Sequence, residues 1–259
     1  MKNLRKYGKT PFTIAVIHGG PGASGEMAPV ARELSLIQGT LEPFQSSTSI
    51  QGQIQELHTA LKKYGDLPMI LIGHSWGAWL IFLYAAQYPS AVKKIILVSS
   101  GPFKEKYAKH IMEIRLNRLN REEKKQVSTL FDRLEYSQEI NKNKVFAQIG
   151  QYLFKTDSCH PLQKIEAVDC NYEIFQSIWK EAEQVRRSGT LLESGKQIRC
   201  PVVAIHGDYD PHPFEGVQQP LSSVISDFRF ILLKDCGHYP WIERDAKKRF
   251  YEILHEELI

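Results

Sequence analysis

Pro68–Leu80 has the sequence Pro-Met-Ile-Leu-Ile-Gly-His-Ser-Trp-Gly-Ala-Trp-Leu, which predicts a buried strand, a tight turn at Ser75 and a helix. Met69–Ile72 is an apolar run short enough for a parallel strand that is buried on both faces. The residues after Ser75 are almost continuously apolar, as is typical of a helix packed into a sheet core. Gly73 and Gly77 lie two residues before and two residues after Ser75. A strained strand-to-helix turn brings neighbouring backbones close together and therefore needs glycine, which has no Cβ, at both positions. Such a turn exposes the Ser75 hydroxyl above the sheet.

The remainder of the chain predicts a doubly wound α/β sheet around this stretch. Short apolar runs predict further strands at 12–17, 40–44, 94–99, 202–205 and 228–233, with helices predicted near 27–37, 50–64 and 246–254. This alternation is typical of a mostly parallel sheet with helices on both faces. Only eleven residues precede Phe12, so the sheet is expected to be reduced at the N-terminus.

Residues 103–196 depart from that alternation. They contain no convincing strand, but they carry apolar stripes at helical spacing, for example Val127, Leu130 and Leu134. We therefore predict a core made of residues 1–102 and 197–259, with a helical cap inserted at 103–196.

Composition excludes several classes of function. The 259 residues are 42% hydrophobic and 24% charged, with a net charge of +4, and no Lys/Arg block is long enough to predict nucleic-acid binding. No apolar run reaches the length of a membrane span, and Met1–Thr10 lacks the apolar core of a signal peptide. The four cysteines lack metal-ligand spacing, so no metal site is predicted. We expect a cytoplasmic protein whose partner is a small-molecule substrate, with no nucleic-acid or membrane partner.

Chemically suited side chains follow the predicted strands. Ser75 is followed along the chain by Asp208 and Asp210 and then by His238. The carboxyl ends of parallel strands meet at one edge of the sheet, where the sites of such sheets form. A serine hydroxyl needs a base to take its proton, an imidazole can do this near neutral pH, and a carboxylate holds the imidazole in the right tautomer. The sequence therefore predicts a nucleophilic serine site.

The site also requires donors for a developing oxyanion. The backbone N–H of Trp76, directly after the serine, is one candidate, and the Gly-rich loop after the first long strand supplies another. Pro21 has no N–H, so Gly20 is the better donor in that loop and Gly19 is the second choice. His18 and His74, which precede glycine or serine at strand ends, are interpreted as structural histidines.

Two motifs resemble a known family. His-Gly-Gly-Pro-Gly at 18–22 and Gly-His-Ser-Trp-Gly at 73–77 are similar to those of the α/β-hydrolase family, in its proline iminopeptidase branch. The resemblance covers 12–98 and 201–254, whereas the predicted cap matches no family motif. The family's extra N-terminal strand pair and its Asp-x-Arg-Gly segment are both missing.

The resemblance implies a role for each residue. The family places its acid three residues after the glycine that ends the strand, which selects Asp210 over Asp208. The implied roles are nucleophile for Ser75, acid for Asp210, base for His238, and oxyanion hole for Gly20 and Trp76.

Taken together, the sequence predicts a serine hydrolase that cleaves an ester, amide or peptide bond through an acyl-enzyme, without a metal or organic cofactor. Two alternatives stay open, namely a receptor-like ligand-binding protein on the same fold and a cofactor-free perhydrolase. Within the predicted cap, Glu166 and Glu173 could receive a substrate ammonium group, as in iminopeptidases, or could simply be solvated helix surface.

Overall fold

The computed structural model describes residues 3–136, 141–163 and 169–258, so Glu166 lies outside the described residues. The described strands are β1 (Leu4–Tyr7), β2 (Phe12–Ile17), β3 (Ala23–Ser24), β4 (Gly39–Pro43), β5 (Met69–His74), β6 (Val92–Val98), β7 (Asp169–Cys170), β8 (Val202–Gly207) and β9 (Phe228–Leu233). The described helices are α1 (Ala28–Leu34), α2 (Ile50–Tyr64), α3 (Trp76–Gln87), α4 (Glu105–Ala108), α5 (Ile111–Asn117), α6 (Arg121–Tyr136), α7 (Lys142–Asp157), α8 (Tyr172–Arg187), α9 (Thr190–Ser194), α10 (Glu215–Ser222) and α11 (Lys247–Leu258).

Seven of these strands form one twisted sheet in the order β1-β4-β2-β5-β6-β8-β9. All neighbours are parallel except β1 and β4. The strand order reverses at β2, because the chain passes from β2 to β4 on one side and then to β5 on the other. Ligands bind at such a reversal in open α/β sheets. The loop after β2 and the turn after β5 are therefore neighbours.

Helices cover both faces of the sheet, as predicted. Ala15 and Ile17 of β2 pack with α2 and α3, whereas Ile14 and Val16 pack with α1 and α11. Successive strand residues point to opposite faces, so a strand that is apolar throughout is buried on both sides. The doubly wound α/β fold class is confirmed.

The N-terminus contributes more to the sheet than expected. Leu4–Tyr7 forms β1, which pairs antiparallel with β4 at the sheet edge. The strand was not predicted because Leu-Arg-Lys-Tyr has no apolar run: Arg5 and Lys6 are exposed, and Leu4 and Tyr7 are only half-buried. The sheet therefore has one edge strand before β2.

Residues 103–196, which we call the cap segment, lie between β6 and β8 along the chain and contain α4 to α9. The expectation that this segment has no strand was wrong. Two of its residues form β7, which pairs with β3 of the Gly-rich loop after β2. A two-residue strand carries no periodicity, so only the tertiary structure reveals it.

The turn at Ser75 depends on its flanking glycines. A Cβ on Gly73 would lie 2.3 Å from the Gly77 carbonyl oxygen, and a Cβ on Gly77 would lie 2.4 Å from the Ile17 carbonyl oxygen. Both obstacles are backbone atoms and cannot rotate away. The predicted close approach of backbones is therefore present, and it packs the start of α3 against the end of β2.

Gly73→Ala is expected to lower the free energy of unfolding by roughly 3 kcal/mol or more, because the methyl group can be accommodated only by moving backbone. Urea denaturation followed by circular dichroism measures this loss. Gly150→Ala is the matched control, since nothing lies within 4 Å of a Cβ at this position in α7. The control should be neutral or more stable by up to about 1 kcal/mol. Equal stability of the two variants would contradict the steric argument.

None of the described helices combines the length and the apolar character needed to cross a bilayer.

Candidate catalytic site

Ser75 lies at the tip of the turn between β5 and α3. Its φ is +51°, in a region that residues other than glycine rarely adopt. Its N–H donates to the Val98 carbonyl oxygen of β6 at 2.9 Å. A strained conformation of this kind persists only where the surrounding structure imposes it. The backbone therefore holds Ser75 at the carboxyl edge of the central strands.

His238 is positioned by the loop after β9. Its Nδ1–H donates to Asp210 Oδ2 at 2.7 Å, and its backbone N–H donates to the Asp157 carbonyl oxygen at 2.7 Å. Its ring is almost completely buried. Its Nε2 makes no hydrogen bond among the described residues, nor is it sealed from solvent. The imidazole thus presents one nitrogen to a carboxylate and the other to the cavity that Ser75 lines.

The structure distinguishes between the two candidate aspartates. Asp210 contacts His238, whereas Asp208 lies 3.5 Å from Lys234 Nζ and accepts a long hydrogen bond from the Cys236 N–H. Asp210 is fully buried at its side chain, so its charge acts at short range on the histidines around it.

Burial and charge act in opposite directions on this pair. Burial alone would lower the pKa of His238, but the negative charge of Asp210 and the hydrogen bond between them raise it above its ordinary value. Burial alone would raise the pKa of Asp210, but the charges of His238 and other nearby histidines hold it well below its ordinary value. An ionised carboxylate beside a moderately basic imidazole is the arrangement that a general base requires.

Two backbone donors near Ser75 have no partner among the described residues, namely the N–H groups of Gly20 and Trp76. By contrast, the N–H of Gly19 donates to Glu26 Oε1 at 2.5 Å and is not available to a ligand. Gly20 has a φ of +36°, a conformation that a glycine adopts without strain. Of the two loop glycines considered, Gly20 is the one whose N–H is free.

Residues 45–245 of the chain match the family described as the alpha/beta hydrolase fold, a span that contains Ser75, Asp210 and His238. The chain belongs to this family. Lipase 1 of Psychrobacter immobilis is 22% identical over 263 residues, which cover 94% of this chain and 78% of that protein.

Solved structures are similar to this alpha/beta hydrolase over nearly its whole length. VinJ superposes with a TM-score of 0.69 at 15% identity, covering 98% of this chain and 93% of that one. A monoacylglycerol lipase of Paleococcus ferrophilus superposes with a TM-score of 0.62 at 15% identity, covering 98% and 97% of the two chains. At these identities the likeness shows the fold. The two motifs suggested the proline iminopeptidase branch, and these comparisons do not confirm it.

Sequence reasoning missed Glu26, which joins three loops of this hydrolase fold. Besides the Gly19 N–H, its Oε1 contacts His74 Nδ1 at 2.5 Å, and His74 Nε2–H donates to the His238 carbonyl oxygen at 2.9 Å. The loop after β2, the turn after β5 and the loop after β9 are therefore connected through two buried side chains. His74 was predicted to be structural. Its partner Glu26 lies 48 residues away in the chain, so no local sequence pattern indicates the pair.

His212 was also missed. Its Nδ1–H and its backbone N–H both donate to Asp210 Oδ1, at 2.8 and 2.9 Å. Asp210 therefore holds two imidazoles, one on each carboxylate oxygen. The sequence signal was present, since His212 lies two residues after the predicted acid.

The side chains of Asp210, His212 and His238 have donor atoms within 4.8 Å of one another, which is close enough to suggest a metal cluster. In both imidazoles, however, the nitrogen nearest the carboxylate is the one that donates a proton to it. The arrangement is thus a hydrogen-bonded network, and it satisfies the carboxylate without a cation.

A cavity of about 1630 Å³ lies between the sheet edge and the cap segment. Ser75, Trp76, Gly20 and His238 line its floor. Its cap-segment wall is rich in apolar and aromatic side chains: Met112, Phe131, Leu134, Phe146, Phe175 and Trp179. A separate groove of about 1190 Å³, between β1 and α2, contains none of the predicted site residues.

An aromatic row extends from the core into this wall. The ring of Trp79 stacks on Trp179 at 6.3 Å, Trp179 stacks on Phe175 at 6.1 Å, and Phe175 contacts Phe146 at 4.4 Å between ring centroids. Offset stacking adds specific geometry to the burial of such rings. Three rings of this row, those of Trp179, Phe175 and Phe146, thus give an apolar surface to the cavity that Ser75 also lines. Glu173, one of the glutamates considered above, is exposed on α8.

Proposed function

We propose that the protein is a serine hydrolase that cleaves an ester of a small acyl substrate through an acyl-enzyme intermediate. The observation that carries this proposal is the 2.7 Å hydrogen bond between Asp210 and His238. His238 lines the same cavity as Ser75, which lies at a strained turn. Membership of the alpha/beta hydrolase fold family and a lipase among its relatives support the same reaction class. Fold alone would not, since one fold hosts many functions.

In the first half-reaction, the Ser75 hydroxyl oxygen attacks the substrate carbonyl carbon while His238 Nε2 accepts its proton. The structure has no hydrogen bond between these two groups among its described residues, and such bonds commonly tighten only when substrate is bound. The free N–H groups of Gly20 and Trp76 would then donate to the oxyanion. His238 returns the proton to the leaving alcohol as the bond to it breaks, which leaves Ser75 acylated.

In the second half-reaction, water replaces the alcohol. The water oxygen attacks the acyl carbon while His238 accepts a proton from the water. His238 then returns that proton to the Ser75 oxygen as the carboxylic acid leaves. Asp210 remains ionised throughout, because its role is to hold the Nδ1–H tautomer and to stabilise the imidazolium.

An acyl ester fits the cavity better than an aminopeptidase substrate does. Among the described residues, the less exposed carboxylates of the cavity each have a basic partner: Glu26 with His74, Asp157 with Arg115, and Glu183 with Arg187. Glu135, the other lining carboxylate, is exposed. Within the part of the cavity lining that the structure describes, which does not include Glu166, a substrate ammonium group would therefore find no unpaired buried carboxylate, whereas an acyl chain would find the aromatic row.

A fluorophosphonate probe tests the proposal, because it phosphonylates an activated serine. We expect one adduct per chain by intact-mass spectrometry, and peptide mapping should assign it to Ser75. A panel of nitrophenyl esters and aminoacyl nitroanilides then separates the two substrate classes, with turnover expected for the esters. Absence of any adduct, together with stable ligand binding, would instead favour the receptor-like alternative.

The rate of probe labelling should depend on pH through His238. The neutral imidazole is the active form, and Asp210 raises the pKa of His238 above its ordinary value of 6.5. Labelling should therefore decline as pH falls, with a midpoint above 6.5 in a series of second-order rate constants measured between pH 5 and 9. A midpoint clearly below 6.5 would mean that burial outweighs the charge of Asp210.

A further inference from the structure

His212 occupies a position that the proposed reaction does not use. Its ring lies against the ring of His238, with centroids 4.6 Å apart and planes 27° apart. Both rings line the cavity, and both are hydrogen-bonded through Nδ1 to Asp210, on different oxygens. The two imidazoles are thus placed almost equivalently with respect to one carboxylate and one cavity.

The Nε2 atoms of the two rings are also alike in their surroundings. Neither makes a hydrogen bond among the described residues, and neither is sealed from solvent. The proposed reaction uses His238 as its base, so the similar placement of His212 requires a role of its own.

The two rings differ sharply in basicity. Burial lowers the pKa of His212 to about 4, whereas the charge of Asp210 raises that of His238 above 6.5 despite its burial. An imidazole with a pKa of about 4 takes up a proton poorly at neutral pH. His212 is therefore a neutral donor through Nδ1–H, and the role of base falls to His238.

Charged and titratable groups surround this network on every side. His206 of β8 donates from Nε2 to the His212 carbonyl oxygen at 2.9 Å. Arg115 of α5 and Asp157 of α7 form a buried ion pair, and both act electrostatically on His238. His206 Nε2 also lies 3.5 Å from Asp210 Oδ2. The ring of His74, which contacts Glu26, lies with its centroid 4.6 Å from that of His238. Tyr239, next to His238 in the chain, and Glu215 at the start of α10 are further titratable neighbours.

We propose that His212 is a positioning residue for the catalytic carboxylate, an inference that rests on the proposed serine hydrolase function. Its Nδ1–H acts together with the backbone N–H of His212 to orient Asp210 so that Oδ2 faces His238, and it takes up part of the carboxylate's negative charge. Without this donor, more of that charge would act on the His238 imidazolium, and His238 would become more basic. His212 thus limits the basicity of its neighbour and keeps the carboxylate from rotating.

A matched pair of substitutions isolates the donor from the shape of the side chain. In His212→Asn, the amide nitrogen lies where Nδ1 does and can donate to Asp210 Oδ1. His212→Leu has almost the same size and shape as the Asn variant but no side-chain donor, and both variants keep the backbone N–H that donates to Asp210 Oδ1. His160→Asn is the control, because the exposed His160 side chain pairs with Asp245 and makes no contact with Asp210, His212 or His238 among the described residues.

The first measurement is the titration of His238, followed by NMR of ¹⁵N-labelled histidine. We expect its pKa to rise by about one pH unit in the Leu variant and to stay near wild type in the Asn variant. The second measurement is the pH profile of fluorophosphonate labelling. Its midpoint should move upward in the Leu variant, with a plateau rate about tenfold lower, while the Asn variant stays within about threefold of wild type.

An unchanged His238 titration in a folded Leu variant would overturn the inference, as would an Asn variant shifted as far as the Leu variant. Circular dichroism and thermal melting establish folding, and if the Leu variant is unfolded, the Asn variant still decides through its own titration. If wild-type protein takes up no probe, the hydrolase proposal fails, whereas the NMR titration continues to report on His212. The two failures are thereby distinguishable.

Discussion

Ser75→Ala is expected to abolish fluorophosphonate labelling and to lower kcat for ester hydrolysis by roughly 10³-fold or more, since removing a nucleophile removes the whole covalent route. The free energy of unfolding should change little, because the Ser75 hydroxyl makes no hydrogen bond among the described residues and alanine occupies the same backbone conformation at similar cost. Steady-state hydrolysis of nitrophenyl esters and urea denaturation, on the same preparation, measure the two quantities.

Ser99→Ala provides a closely matched control. Ser99 also follows a strand, β6, and also has a positive φ, of +46°. Its buried Oγ has no hydrogen-bond partner among the described residues, and it is absent from the cavity lining. Near-wild-type activity is expected. If Ser75→Ala retained turnover at the level of this control, another nucleophile would have to be sought.

Asp210→Asn is expected to lower kcat by roughly 10³- to 10⁴-fold while KM changes much less, because the amide keeps the shape of the carboxylate but neither holds the Nδ1–H tautomer of His238 nor stabilises its positive charge. The loss should also remove the upward displacement of the His238 pKa, so that any residual activity extends to lower pH. Initial rates over a range of substrate concentrations, repeated at several pH values, measure both effects.

The control for this variant is Asp208→Asn, two residues earlier in the same loop. Asp208 contacts Lys234 at the protein surface and does not contact His238. Its replacement should leave kcat within about twofold of wild type. A larger loss for Asp208→Asn than for Asp210→Asn would show that the carboxylate contact of 2.7 Å in the structure is not the one used in solution.

Local sequence patterns predicted the elements that depend on local physics. Phe12–Ile17 and Phe228–Leu233 are strands at the predicted bounds. Phe12–Ile17 is almost wholly buried and therefore almost wholly apolar. Phe228–Leu233 is an edge strand that is mostly half-buried and has Arg229 exposed, yet its apolar residues were enough to predict it. Gly73 and Gly77 were predicted from the close approach that a strained turn requires, and the structure confirms that approach. Ser75, His238 and the pair Asp208 and Asp210 could be named because each follows a predicted strand, where the sites of such sheets form. The family resemblance then selected Asp210 from the pair.

Features that depend on distant contacts could not be predicted in this way. The edge strand β1 is mostly exposed, and β7 is two residues long, so neither carries a periodic signal. The cap-segment wall of the cavity brings together residues from α5, α6, α7 and α8, whose apolar stripes predict helices but not which faces meet.

The sequence by itself determined the sheet, the turn at Ser75 and the kinds of side chain at the strand ends, because apolar periodicity and glycine spacing express constraints between near neighbours. Only the tertiary structure decided that the Gly19 N–H donates to Glu26 and that His74 links the turn at Ser75 to the loop after β9. The same is true of the contact by which His212 shares Asp210 with His238. Each of these is a hydrogen bond between buried polar groups. The two partners come close only in the folded chain, so no local sequence pattern indicates which groups will pair.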